Sequence, residues 1–164
     1  MKKSLAIVAG AIMLLGLGCK SPSQMITEKV LESASGGKAK VDLDGNTVKV
    51  ETKDGTSEWG GTKLPDNWPS DAPVSPGASV EFSSSSNSKD GRPSAMVIFK
   101  TKEAGPNVYE FYKKELVAQG WTVEQDIQSG DGAMVTATKD TRALSVTVAT
   151  GDGQTDITVV LASK

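Results

Sequence analysis

The chain has no histidine and a single cysteine. Without histidine it cannot build a Ser-His-Asp triad, a Cys-His pair or the histidine-rich shell of most catalytic zinc sites, and a large share of hydrolase mechanisms is excluded. With Cys19 as the only thiol there is no internal disulfide, and no cysteine is left for a zinc knuckle or a nucleophile once Cys19 is assigned. Aromatic residues are scarce at 5%, and neither sign of charge dominates, with 18 Lys and Arg against 20 Asp and Glu. That balance does not suit a protein that grips nucleic acid or another polyphosphate. The hydrophobic share of 37% is ordinary for a folded chain, so the fold must stand on its core alone.

What is present is most explicit at the start. Lys2-Lys3 forms a positive n-region, Leu5 to Leu15 an apolar h-region, and small residues follow, so Met1 to Gly18 reads as a secretory signal peptide. The apolar run is too short to span a bilayer. The stretch Leu15-Gly16-Leu17-Gly18-Cys19 resembles the lipobox of bacterial lipoprotein precursors, with Gly16 where Leu is usual and Gly18 beside the cut. The resemblance is confined to this N-terminal stretch. It implies diacylglyceryl transfer to the Cys19 thiol, cleavage before Cys19, and acylation of the new amino group by a fatty acid such as palmitate. Each buried CH₂ contributes about 0.8 kcal/mol, so two or more chains anchor the protein firmly to a bilayer without crossing it. The implied partner is therefore a lipid bilayer, and the implied location the bacterial cell envelope. Lys20 in place of Asp after the cysteine implies the outer membrane if the cell has one.

After a polar tether, Ile26, Val30, Leu31 and Ala34 recur at helical spacing before Gly36-Gly37, which predicts a helix near 23–35. Val41 and Leu43, then Val48 and Val50, alternate around Asp44-Gly45-Asn46 and predict a β-hairpin. This first module, 19–62, ends near Gly60-Gly61. Residues 63–77 hold Pro65, Pro69, Pro73 and Pro76 and read as a stiff connector. The domain expected over 78–164 begins with strands around Val80 to Phe82 and Met96 to Phe99, and Ser83 to Ser88 suits a long exposed loop between them. A helix follows from about Pro106 to Gln119, with Val108, Phe111, Tyr112 and Leu116 on one face and Gly120 as its stop. Strands are expected at 121–128, 133–139, 143–150 and 155–162. Five Asp-Gly dipeptides, most of them between alternating runs, read as turns. The predicted fold class is α+β: an antiparallel sheet with one face covered by a helix, preceded by a small helix plus β-hairpin module.

Each chemical motif fails on inspection. Asp42-x-Asp44-x-Asn46 opens like a calcium loop, but Thr47 stands where that loop needs Gly and Lys53 where it needs Glu. Ser35-Gly36-Gly37-Lys38 and Ser86-Asn87-Ser88-Lys89 match S-x-x-K without the supporting elements of an acyl enzyme. Gly36-Gly37-Lys38 lacks the rest of a phosphate loop. The carboxylates lie mostly at turns and on polar faces, so no acid/base pair is singled out. No metal site and no cofactor is expected. The aromatics remain: Trp68, held among prolines, with Trp59 nearby, either staples the connector to the sheet or is the candidate binding surface, stacking on a sugar ring or anchoring a partner. These readings converge on a membrane-anchored envelope lipoprotein that acts as a non-enzymatic structural or interaction module. The alternative is a protein that binds a glycan, peptidoglycan fragment or peptide through Trp59 and Trp68. The expected partners beyond the bilayer are an envelope protein or a glycan, and not nucleic acid.

Overall fold

In the computed structural model of the protein, the described residues are Lys29, Glu32, Ser33 and 39–163 except Gly45, Asp90, Gly91 and Asp131. Cys19, the leader and most of the helix expected near 23–35 lie outside them. Lys29, Glu32 and Ser33 are helical, and Glu32 Oε1 accepts a hydrogen bond from the Val41 N–H at 3.1 Å. The strands are β1 (Ala39–Asp44), β2 (Thr47–Thr52), β3 (Gly55–Gly61), β4 (Ser79–Ser88), β5 (Ser94–Thr101), β6 (Thr122–Ser129), β7 (Gly132–Lys139), β8 (Arg142–Gly151) and β9 (Gln154–Ser163). One helix, α1 (Gly105–Ala118), lies between β5 and β6. All nine strands join one antiparallel sheet in the order β1-β2-β3-β4-β5-β9-β8-β7-β6. The chain thus runs as a meander from β1 to β5, crosses by α1 to the far edge at β6, and returns by hairpins until β9 pairs with β5.

The core follows from strict alternation in the middle strands. Val97 and Phe99 of β5, Ile157 and Val159 of β9, and Val146 of β8 are fully or almost fully buried, while their sequence neighbours face the other side. Against them α1 packs Val108, Tyr109, Tyr112 and Leu116, which recur at helical spacing. Leu116 is completely buried, and burial of such a side chain contributes about 1.5–3 kcal/mol. The end of α1 was legible beforehand. Gly120 takes φ +81°, its N–H bonds to Val117 O at 3.0 Å and the Trp121 N–H to Leu116 O at 2.9 Å, so the helix stops and the chain turns directly into β6. Sequence spacing assigned Phe111 to the buried face, but it lies at the margin, edge-on to Tyr112 at 5.3 Å, and Tyr109 takes the inner position.

The α+β expectation with a separate preceding module does not hold. The protein is predominantly β, and the N-terminal hairpin is part of the same sheet, because β3 pairs with both β2 and β4. Two segments account for the difference. β3 was not expected at all, since Gly55-Thr56-Ser57-Glu58-Trp59-Gly60-Gly61 has almost no apolar alternation. Ser83 to Ser88 reads as an exposed loop, but it is the outer half of β4, paired with β3 as far as Ser88 and with β5 as far as Ser86. Pairing on both edges satisfies the backbone there, and this context overrides the weak strand preference of serine. Gly60 is required at the end of β3: it has φ +85°, and a Cβ would stand 2.1 Å from Asn46 O.

The proline-rich connector is an excursion of the sheet. It leaves the sheet after Gly61, which lies opposite Ser83, and re-enters it at Ser79, and the intervening chain folds back over the face that α1 covers. There Asp71 accepts a bidentate pair from Arg142 (both 2.7 Å) and a bond from Lys139 Nζ at 2.6 Å. Asp71 O accepts the Trp121 indole N–H at 2.7 Å, and the Arg142 guanidinium lies 4.9 Å from the centre of that indole ring. Hydrogen bonds from Arg142 above all hold the Asp71 carboxyl well below the usual carboxylate range. Further along, the Ser75 N–H donates to the Tyr112 hydroxyl at 3.4 Å, and burial pushes that phenol up to about 12.

Candidate functional site

Between the first turns of α1 and the ends of β6, β7 and β8 lies a recess of about 170 Å³. Its walls are Gly105, Pro106 and Tyr109 from the helix and Ala133, Val148 and Thr150 from the sheet, with Gln128 at the rim. Local sequence explains why the recess is there. Pro106 fits the first turn of a helix, where no N–H is needed. Gly105 allows that turn to come close to β8, since a Cβ on it would stand 2.3 Å from Thr150 Oγ1. On the sheet side small residues, Gly132 and Ala133, occupy positions where larger ones would fill the space. The lining is mainly apolar, and a volume of this order accepts a single ring or a short chain, as ~150 Å³ suffices for benzene.

One polar cluster borders this recess. The Tyr109 hydroxyl donates to Asp126 Oδ1, and Lys113 Nζ lies 2.7 Å from Asp126 Oδ2 and 3.5 Å from the Tyr109 oxygen. The Asp126 bond raises the Tyr109 pKa above its ordinary value, with burial adding to it. Lys113, through the same carboxylate, is raised, and Asp126, facing Lys113 and Tyr109, is lowered. At neutral pH the phenol is therefore protonated and the ion pair charged, so the group supplies fixed hydrogen-bonding partners. Among the described residues no group of three or more Cys, Asp or Glu is placed to hold a metal ion.

The two tryptophans named from sequence are not brought together. Trp68 is half-buried, with its ring edge-on to Phe99 at 6.3 Å and its indole N–H bonded to Ala72 O at 3.1 Å. It fastens the connector to the core. Trp59 is 42% exposed and points to the opposite side of the sheet, because it lies opposite Ser84, which lies opposite Met96, between the buried Ala95 and Val97. Cys19 lies outside the described residues. Of the S-x-x-K serines, Ser86 is bonded to Ser57 Oγ at 3.2 Å, and Ser35 lies outside the described residues. Asp42 and Asp44 sit in a regular hairpin strand, as the alternation predicts. Sequence reading missed Asp126, Lys113 and Gln128. The spacing of Tyr109 and Lys113 places them on one helical face and Asp126 and Gln128 share a strand face, but nothing local shows that β6 runs beside α1.

A protein-family model described as START domain-like matches residues 80–159, from the second residue of β4 through α1 into β9. The match stops short of β1–β3 and covers just under half of the chain, and it includes every wall of the recess. No curated protein and no solved structure matches the chain.

Proposed function

We propose that the protein is a lipid-anchored bacterial envelope protein whose β4–β9 and α1 unit is a non-enzymatic binding module held at a membrane surface. The anchor rests on the leader and Cys19 of the sequence. The binding role rests on one observation above the others, the mainly apolar recess between α1 and the sheet, with the Tyr109 hydroxyl and Gln128 at its edge. Similarity to START domain-like proteins over the same residues supports it, as such domains are generally binding modules. The ligand class that suits the recess is a small ring or short acyl segment carrying one polar end.

Two measurements test the two halves of this proposal. Labelled palmitate fed to cells is expected to enter the native protein and not the Cys19→Ser variant; absence of label in the native protein contradicts the anchor. Phenol, titrated into the full chain, is expected to shift the methyl resonances of Ala133 and Val148. Ala133→Leu, which fills the recess, is expected to abolish those shifts. Unaltered methyl resonances at saturating phenol, or equal shifts in the Leu variant, contradict the binding role.

A further inference from the structure

A second concavity lies on the same face of the sheet as α1, at the opposite end. Its floor is one row of side chains across four strands: Asp42, Lys49, Glu58 and Ser85 are directly opposite one another in β1, β2, β3 and β4. Its wall is the start of the connector, including Lys63 and Asp66. The trough encloses about 430 Å³, within the range of roughly 300–1,000 Å³ typical of small-molecule sites. It continues into an adjoining recess of about 200 Å³ that shares Lys49, Glu58, Asp66 and Ser85 and reaches Asn67 and Asn87. There Asn67 Nδ2 donates to Asn87 Oδ1 at 3.0 Å, while Asn67 Oδ1 is sealed from solvent with no hydrogen-bond partner among the described residues. Turning the amide over exchanges O for N and leaves one of its polar atoms unmatched in either setting.

We propose that this trough binds a neutral, hydroxyl-rich ligand, one or two sugar rings of a glycan. The argument is from the mixture of partners. Asp42, Glu58 and Asp66 accept only, Lys49 and Lys63 donate only, and Ser85 does both. Lys49 stands between Asp42 and Glu58 across the strands and pairs with Glu51 at 3.2 Å, so the floor alternates in sign at the strand spacing of about 4.8 Å. An anion entering here meets the carboxylates. A polyamine meets the two ammonium groups and leaves their hydrogens unmatched. A sugar hydroxyl donates to a carboxylate and accepts from an ammonium or a serine with the same oxygen, and so suits a floor and wall that mix acceptors with donors. The trough is separate from the recess beneath α1, and apart from Ser83 to Ser85 of β4, and Asn87 in the adjoining recess, it lies on residues outside the START domain-like match. It also differs from the tryptophan surface suggested by sequence, since Trp59 points away from it.

The test uses the full chain in detergent micelles, with maltose, cellobiose and chitobiose as probes and spermidine and inorganic phosphate as charged comparators. At least one disaccharide is expected to shift the amide resonances of Glu58, Asp66 and Ser85, and to bind tenfold or more weaker in Glu58→Ala and in Asp66→Ala. Asp66 lies on the connector wall, outside the strand ladder, and keeps the test valid if the strand variant is misfolded. The proposal is overturned if no disaccharide shifts those resonances up to its solubility limit, if affinity is unchanged in both folded variants, or if spermidine or phosphate binds more tightly than every sugar.

Discussion

In β5, β9 and β8 the buried apolar residues point toward α1 and the connector, whereas in β1, β2 and β3 the apolar residues point through the sheet to the other side. Val41, Leu43, Val48, Val50 and Trp59 share the face of Met96 and Val160, and Asp42, Lys49 and Glu58 share the face of Val97 and Ile157. Among the described residues of β1–β3 only Val41, at 8% exposure, is buried. A continuous hydrogen-bonded sheet thus carries two regions with opposite polarity. One has a packed core; the other presents a polar trough on the face where the first is most apolar. Backbone pairing extends across β3 and β4 without the side-chain core extending with it, and the stability of the two regions should differ accordingly, because it comes mainly from buried apolar surface.

The strongest way to break this comparison is to damage the core. Leu116→Ala removes a completely buried side chain and leaves a cavity, with an expected loss of about 2–5 kcal/mol in denaturant melts. A loss below about 0.5 kcal/mol would mean that α1 is not a core element. Next comes the latch between connector and sheet. The side chains of Asp71, Lys139 and Arg142 are 22–26% exposed, intermediate between surface and buried pairs, so Asp71→Asn is expected to cost about 1–3 kcal/mol at neutral pH. Its pH dependence has a definite sign. The folded-state pKa of Asp71 is depressed, so its contribution is complete above the unfolded-state value of about 3.9 and is lost as pH falls from there toward the folded-state value. Wild type and Asp71→Asn should therefore differ most at neutral pH and converge in acid; a difference that stays constant from pH 7 to pH 2 contradicts the latch. The smallest effect is expected in the other region. Trp59→Ser removes an exposed ring from β3 and should change stability by no more than about 0.5 kcal/mol, as surface substitutions usually do. A loss above about 2 kcal/mol would reveal a second core on that side.

How much of this was legible beforehand depended on whether the signal was local. The helix and its Gly120 stop, the four C-terminal strands and the hairpin at Asp152-Gly153, where both residues have positive φ, all follow from spacing and turn chemistry within a few residues. β3 and the serine half of β4 were not legible, because each is held by neighbours distant in sequence and not by its own composition. The proline segment reads as a stiff extended connector, but it is a series of turns, with Trp68 N–H bonded to Pro65 O, Ala72 N–H to Pro69 O and Ala78 N–H to Ser75 O, and its return over the sheet depends on the Asp71 contacts to Lys139 and Arg142, far along the chain. For the site, the setting of Trp68 among prolines admits both a fastening and a binding surface, and the structure shows the fastening, while Gly105 and Ala133 carry no signal alone and define the recess only once α1 lies over β7 and β8.

Native-state amide hydrogen exchange on the full chain tests the two-region account most directly. The buried positions of β5, β8 and β9 are expected to exchange only through global unfolding, and the paired amides of β1 and β2 through a local opening at least about 2 kcal/mol easier. Equal protection of both sets, within about 0.5 kcal/mol, would show that the sheet opens as one unit and would contradict the division drawn here.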